Sequence, residues 1–282
     1  MRHKFNNDTM HLERHTDVNF TDKQLKTALL TRKGFSVVFQ PQFNTHTGSV
    51  VGAEALVRWK YTEQNVPPSQ FISKINRLGL ERELFDFVLD ETQDLLNDLD
   101  LLELRCTIAV NASAVVLADK DLPWSIESRM KRNCLPGELL KIEVTEDISS
   151  PDLGVLAKQL NLIRSQGISI SMDDFGVGQS TFERLVTLPF TELKIDRMFI
   201  REMTKCLPSR TVVESSLRLG KQLGMQVIAE GVEDVEQYKM LRTMGCSRAQ
   251  GFALSLPLDK DTFIHALSSE FKNSLKKPCI SS

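Results

Sequence analysis

The feature that most constrains this chain is a repeated change of period. Short, branched or apolar runs give way several times to stretches in which apolar residues recur every three or four positions. The strand-like runs are SVVFQPQF, VVGAEALVRW, CTIAVNAS, LLKIEVTE, ISISMDDFG, ELKIDRMF and MQVIAEGVE, and most end in polar residues. Pro41 is expected to mark where the first run ends. The cleanest helix follows Glu146. Ser150 can cap it, Pro151 suits its first position, and Leu153, Leu156, Leu160 and Ile163 form one apolar face before Gly167. Val235, Tyr238, Leu241 and Met244 repeat the design ahead of Gly245. A right-handed βα series of this extent closes naturally into a barrel; a doubly wound sheet is the alternative.

A further helix is expected from about Asp22 to Arg32, stopping at Gly34. No low-complexity linker interrupts the series. One domain is therefore placed at 22–268, after a polar extension at 1–21 and before a polar tail at 269–282. With 41% hydrophobic and 26% charged residues among 282, the composition is that of an ordinary globular chain. The 35 basic and 37 acidic side chains leave a net charge of −2, which provides no footprint for DNA or RNA. The apolar runs are too short to insert in a membrane, and the amino terminus is too polar for a signal peptide. His3, His11 and His15 lack a ligand pattern. Cys106, Cys134, Cys206, Cys246 and Cys279 are sparse and odd in number, without zinc-site spacing, and read as reduced thiols in a cytoplasmic compartment.

Polar residues recur at the strand ends. Glu143 and Thr145 share one face of KIEVTE, with Glu146 at the turn. Lys194 and Asp196 share one face of LKID. Glu54, Asn111, Asp173, Asp174, Glu230 and Glu233 occupy comparable places in other units. Each alone reads as a turn former or a helix cap. In a barrel of parallel strands most of them converge on the carboxyl-terminal rim, where chemistry is built. Carboxylates crowded there without cations would repel and raise one another's pKa. One divalent metal, or two sharing a bridging carboxylate, removes that objection, and hard oxygen ligands favour magnesium or manganese over zinc. DFG at 174–176 lacks the rest of a kinase signature, and GVG lacks the GK[ST] of a P-loop.

The motifs FQPQF, GAEALVRW, VNAS, KIEVTED, MDDFGVGQS, LKIDRMF, IAEGVED and AQGF, in this order from about Phe35 to Pro257, resemble the EAL domain family of cyclic di-GMP phosphodiesterases. The resemblance implies an α/β fold, a modified TIM (β/α)8 barrel with an antiparallel first strand. It implies hydrolysis of cyclic di-GMP to linear pGpG by in-line attack of a metal-activated water, with Mg²⁺ or Mn²⁺, two per site. The metal positions then fall on Glu54, Asn111, Glu143, Asp173, Asp174, Asp196 and Glu230. Lys194 corresponds to the lysine beside the attacking water; Glu54 and Glu230 share in the catalytic network, and Gln250 is a polar residue near the nucleophile. Glu146 corresponds to a glutamate that holds the loop after the fifth strand, and Glu233 to another near the site. Arg58, as a rigid donor fork, suits the ligand phosphates, with a rim salt bridge as its structural alternative. Gln40 is a further ligand contact, and Phe252 can stack on a base.

Departures from the family pattern accompany the resemblance. KYTEQN replaces the usual His-Pro after the signature, QGF replaces the commoner QGY, and Leu254 stands where an aromatic is frequent. GQST, with Gln179 and Thr181, replaces an aromatic followed by two serines, so regulation or homodimerisation is expected to depart from the family there. The alternative function is a catalytically silent module that binds cyclic di-GMP or a protein partner. Such modules lose metal or lysine positions, and none is lost here. A glycosidase with paired carboxylates would not require Asn111, Asp173, Asp174 and Lys194 together. An upstream signalling partner could supply the input.

Overall fold

The computed structural model describes residues 18–144, 152–176 and 181–275. Among the described residues nine strands form one sheet: β1 (Phe35–Asn44), β2 (Val50–Tyr61), β3 (Gln64–Val66), β4 (Thr107–Ala112), β5 (Leu140–Val144), β6 (Ser169–Phe175), β7 (Glu192–Ile195), β8 (Gln226–Ala229) and β9 (Arg248–Ala249). β1 pairs with both β2 and β9, which closes eight strands into a barrel and leaves β3 as an appendage of β2. Both pairings of β1 are antiparallel, whereas β2, β4 and the strands through β9 run parallel. The closing pairs exclude a doubly wound sheet and give the barrel with an inverted first strand.

The strands alternate as a barrel requires. Leu140, Ile142 and Val144 of β5 are buried on one face, while Lys141 and Glu143 turn to the other and reach side chains of β7 across the interior. On the outer layer, Leu156, Leu160 and Ile163 of the helix Leu153–Arg164 are fully buried. Val235 departs from the expected stripe of its helix and is 53% exposed, whereas Leu241 is buried.

Several boundaries differ from expectation, each for a local reason. Pro41 lies inside β1, paired opposite Ala53, and the strand continues to Asn44. Phe39 exchanges backbone hydrogen bonds with Leu258, and Phe43 is paired with Ala249 of β9. Pro41, two residues from each, directs its missing N–H into the gap between these partners, so no ladder bond is lost. The cap of the helix after β5 is Asp152, which accepts from the Gly154 N–H at 2.7 Å; Ser150 and Pro151 lie outside the described residues. The first helix is Asp22–Leu30, closed at its start by a capping box of Thr21 and Gln24. Val18 and Phe20 are already buried ahead of it, Phe20 edge-on to Trp59 with centroids 4.6 Å apart. The final described helix, Lys260–Leu275, carries regular structure past residue 268. Among the described residues, no helix is long and apolar enough to cross a membrane, and the four described cysteines form no disulfide with one another.

Candidate active site

The carboxyl ends of the parallel strands converge on one buried ammonium. Lys194 of β7 is 1% exposed, and its Nζ lies 2.6 Å from Glu230 Oε1, 2.8 Å from Glu143 Oε2, 3.1 Å from Asp173 Oδ1 and 3.5 Å from Glu54 Oε2. These groups come from β7, the end of β8, β5, β6 and β2. Inward alternation in β5 and β7 presents Glu143 and Lys194 to each other.

Glu54 is held from both sides. Asn111 of β4 donates to its Oε1 at 2.8 Å, and Gln250, just past β9, donates to its Oε2 at 2.7 Å. Gln250 also donates to Gln40 at 3.1 Å and accepts from Gln42 at 3.0 Å. This buried amide chain locks the orientation of Glu54, which Asn111 meets through its amide nitrogen rather than its carbonyl oxygen. Gln42 escaped the sequence reading. Its signal is its spacing, since it lies two residues from Gln40 and therefore on the same face of β1.

Asp173 and Asp174 reach the site through an irregularity. The β6–β7 pairing slips between Met172 and Phe175, and Asp174 has φ of 52°. Such a bulge bends the strand and re-aims its side chains. Gly176 follows with φ of 104°, and a Cβ there would meet the Phe199 ring at 2.9 Å. Asp196, half-buried, accepts from the Met198 N–H at 2.7 Å and caps the helix Arg197–Glu202; its proximity also helps raise the pKa of Asp174. Its cap role and its place beside the carboxylates are thus compatible.

Four carboxylates around one ammonium leave an excess of buried negative charge. Burial pushes Glu143 well above the ordinary carboxylate range; Lys194 opposes this, and Glu54, Asp173 and Glu230 reinforce it. Glu230 is raised to about 8, chiefly by burial and against Lys194, with Asp173 and Glu54 adding to the rise. Burial, followed by the charge of Asp173, raises Asp174 to about 7. Glu54 is lowered: burial works against this, but Lys194 and the hydrogen bonds from Gln250 and Asn111 outweigh it. Burial alone would lower Lys194, yet Glu143, Glu230, Glu54 and Asp173 hold it well above the ordinary lysine value.

The donor set fits a divalent cation. Among the described residues Glu143 Oε1 is buried with no hydrogen-bond partner, and Asp173 Oδ1 and Glu230 Oε1 meet Lys194 outside hydrogen-bond geometry. Asp173, Asp174 and Glu230 each offer an oxygen within 4.8 Å of the others, an all-oxygen set suited to a hard ion. A cavity of about 440 Å³ opens beside this cluster, lined by Glu54, Arg58, Asn111 and Asp173 with apolar Leu56, Ile72 and Val116. Arg58 is half-buried there; burial lowers its pKa against the pull of Glu54. One of its nitrogens donates to the Val57 carbonyl.

The remaining residues singled out from the sequence lie outside this cluster. Phe252 is 65% exposed on the rim beyond Gln250. The Glu233 side chain is exposed, and its backbone N–H donates to Gln237. Glu146 and Gln179 lie outside the described residues; Thr181 opens the helix Thr181–Thr187.

The fold and site define a class: an α/β barrel with an acidic, lysine-centred cluster, of a composition that fits a divalent cation, at the carboxyl ends of its strands. A family model described as EAL domain matches residues 22–257. The chain belongs to the EAL domain family. It is 33% identical over 241 residues to the bifunctional diguanylate cyclase/cyclic di-GMP phosphodiesterase MucR of Pseudomonas aeruginosa, covering 85% of this chain and 35% of that protein. To the cyclic di-GMP phosphodiesterase RocR of the same organism it is 31% identical over 233 residues, covering 82% and 59%. The chain spans between 29% and 40% of the length of the first four curated relatives. Among solved structures, the PaMucR phosphodiesterase in complex with c-di-GMP superposes with a TM-score of 0.78 at 33% identity, over 85% of this chain and 99% of that one. An EAL domain protein from Listeria monocytogenes EGD-e gives 0.78 at 29% identity, over 89% and 99%.

Proposed function

We propose that this chain hydrolyses cyclic di-GMP to linear pGpG with two Mg²⁺ or Mn²⁺ ions per site. The observation that carries the reading is the pairing of Lys194 with four carboxylates at the rim, beside a cavity that also receives Arg58. Glu54, Asn111, Glu143, Asp173, Asp174, Asp196 and Glu230 are the candidate ligands. When bound, the ions supply Lewis acidity that lowers the pKa of water and offsets charge on the phosphoryl group.

The side chains of the chain supply the rest. Lys194 holds its ammonium beside the attacking oxygen and, kept charged by its carboxylates, serves as an orienting cation rather than a general base. The amide chain of Gln42, Gln250 and Asn111 fixes Glu54 before substrate arrives, which is the preorganisation that such electrostatic stabilisation needs. Arg58 suits a phosphate oxygen, Gln40 a polar edge of the nucleotide, and exposed Phe252 a guanine face. Water adds to one phosphorus in line with the departing ribose oxygen; one P–O bond forms, one breaks, and the ribose oxygen takes up a proton.

Incubation of the purified protein with cyclic di-GMP and Mg²⁺ or Mn²⁺, with and without EDTA, tests this. Appearance of pGpG that requires metal and is abolished by Glu54→Ala is expected. Tight nucleotide binding without turnover would replace the enzyme by a sensor. The reading extends to a homodimer and to a reducing, cytoplasmic setting. Exposed Val115, Leu162 and Val186 on the helices following β4, β5 and β6 support the first, and the sparse, odd-numbered cysteines of the sequence the second.

A further inference from the structure

Beneath the carboxylate layer the barrel holds a second buried ion pair. Lys141 Nζ lies 2.7 and 2.6 Å from the two carboxylate oxygens of Glu192, with the side chains 4% and 3% exposed. Arg248 approaches one of those oxygens at 3.6 Å from a more open position. The two layers are mirror images in sequence: β5 reads Lys141-Ile142-Glu143 and β7 reads Glu192-Leu193-Lys194. Each ammonium therefore reaches over the inner face of β6 to the carboxylate of the other strand, Lys141 to Glu192 below and Lys194 to Glu143 above. Two residues of strand rise separate the layers by roughly 7 Å, which a lysine side chain can span. β6 lies between them with Ser171, in register with both Glu143 and Glu192; its hydroxyl is buried and has no partner among the described residues.

Each lysine thus has a second buried carboxylate within reach, two residues along its own strand. A buried charge stripped of its partner seeks the next one, since leaving it uncompensated is costly. We propose that Lys141 and Glu192 are positioning residues for the cation site. By neutralising each other, they leave Lys194 committed to the upper carboxylates and keep a second ammonium away from Glu143. The inference deepens the metal-dependent reading above and rests on it.

The mirror arrangement gives the proposal opposite signs for its two halves. All variants are made in an Arg248→Met background, which serves as the parent, because that guanidinium, 3.6 Å from Glu192, would otherwise take the place of Lys141. In Lys141→Met, Glu192 then draws Lys194 down, and the upper carboxylates lose their cation. In Glu192→Gln, Lys141 turns up toward Glu143 and adds one. Calorimetric titration of the full chain with Mn²⁺ alone should show about tenfold tighter binding in Lys141→Met and about tenfold weaker binding in Glu192→Gln. The double variant, with neither charge, should return to within about threefold of the parent. Turnover of cyclic di-GMP should fall in both single variants, mainly in kcat, and recover in the double.

Single variants that shift Mn²⁺ affinity in the same direction, or leave it unchanged, would overturn the proposal in favour of a purely structural pair. So would a double variant as impaired as either single one. If one single variant fails to fold, the other and the double still decide: a shift of the stated sign and its recovery are both required. A parent that binds Mn²⁺ without turnover would sink the enzyme reading and leave this sign test intact. A parent that binds no Mn²⁺ would overturn both.

Discussion

Asp173 and Asp174, consecutive in the chain, place carboxylate oxygens within 4.8 Å of each other and of Glu230. Successive residues of a regular strand face opposite sides. Here the slipped pairing after Met172 and the left-handed backbone at Asp174 accompany the convergence of both side chains. The site is thus built partly from a distortion of the barrel. A left-handed backbone is tolerated by aspartate and costs most other residues energy, so its position beside the carboxylate cluster links local strain to ligand geometry.

Asp174→Ala and Asp174→Gly separate those two contributions. Both remove a carboxylate, and turnover should fall by about 10²-fold or more. Only alanine keeps the steric penalty at φ of 52°, so the glycine variant should be more stable by about 1 kcal/mol in urea unfolding. Equal stabilities would show that the bend carries no strain at this residue.

Lys194→Met tests the charge balance. The substitution leaves Glu143 and its neighbours buried without their ammonium, which should destabilise the metal-free protein by about 3–5 kcal/mol. Divalent ions then become the main compensation available. Mn²⁺ should raise Tm more in the variant than in the parent, while turnover drops by about 10²–10⁴-fold. A variant as stable as the parent without metal would contradict the balance drawn here.

How much of this was legible in the sequence depends on whether alternation holds. Glu143, Lys194 and Glu54 lie where a period of two places them, and the rim they share follows from a parallel barrel. The convergence of Asp173 and Asp174 depends on a bulge, which a strict alternation cannot register. Gln42 was hidden because its meaning lies in its partner, Gln250, far along the chain. The same is true of Lys141 and Glu192, joined only when β5 and β7 curve around β6. Pro41 reads as a strand end, and becomes tolerable only once the gap between Leu258 and β9 is known. Asp152 is as good a cap by type as Ser150, and its bond to the Gly154 N–H is read only from the folded chain.

Gly251 joins Gln250 to Phe252, and its lack of a side chain has a steric cause. A Cβ there would lie 2.2 and 2.3 Å from the backbone N and O of Val232. Those are rigid main-chain atoms, held by the pairs Val232 N–H to Gln250 O and Ala253 N–H to Val232 O. Gly251→Ala should displace the turn, loosen the Gln250 hold on Glu54, and lower kcat/KM by about tenfold or more. Its far-ultraviolet circular dichroism should stay close to the parent's. Unchanged kinetics would mean that the turn yields without moving Gln250.

The raised carboxyl groups set a direction for pH dependence. Burial and Asp173 bring Asp174 to about 7, and burial, against Lys194 and with Asp173 and Glu54, brings Glu230 to about 8. Their unfolded counterparts titrate in the ordinary range, near 4. Between about pH 4 and pH 8 the metal-free folded protein therefore holds more protons than the unfolded chain. Its stability from these groups is fully present below that window and is lost as pH rises through the folded values. Metal ligation runs the other way, because each ligand must first give up its proton. Mn²⁺ affinity should climb from about pH 6 to about pH 8 as these groups deprotonate, and the Tm gained on adding Mn²⁺ should climb with it. At about pH 6.5, binding heats measured in two buffers of different ionisation enthalpy should differ, since protons leave as the ion enters. Heats independent of buffer, with flat affinity across this range, would show that neither carboxyl holds a proton where the metal binds.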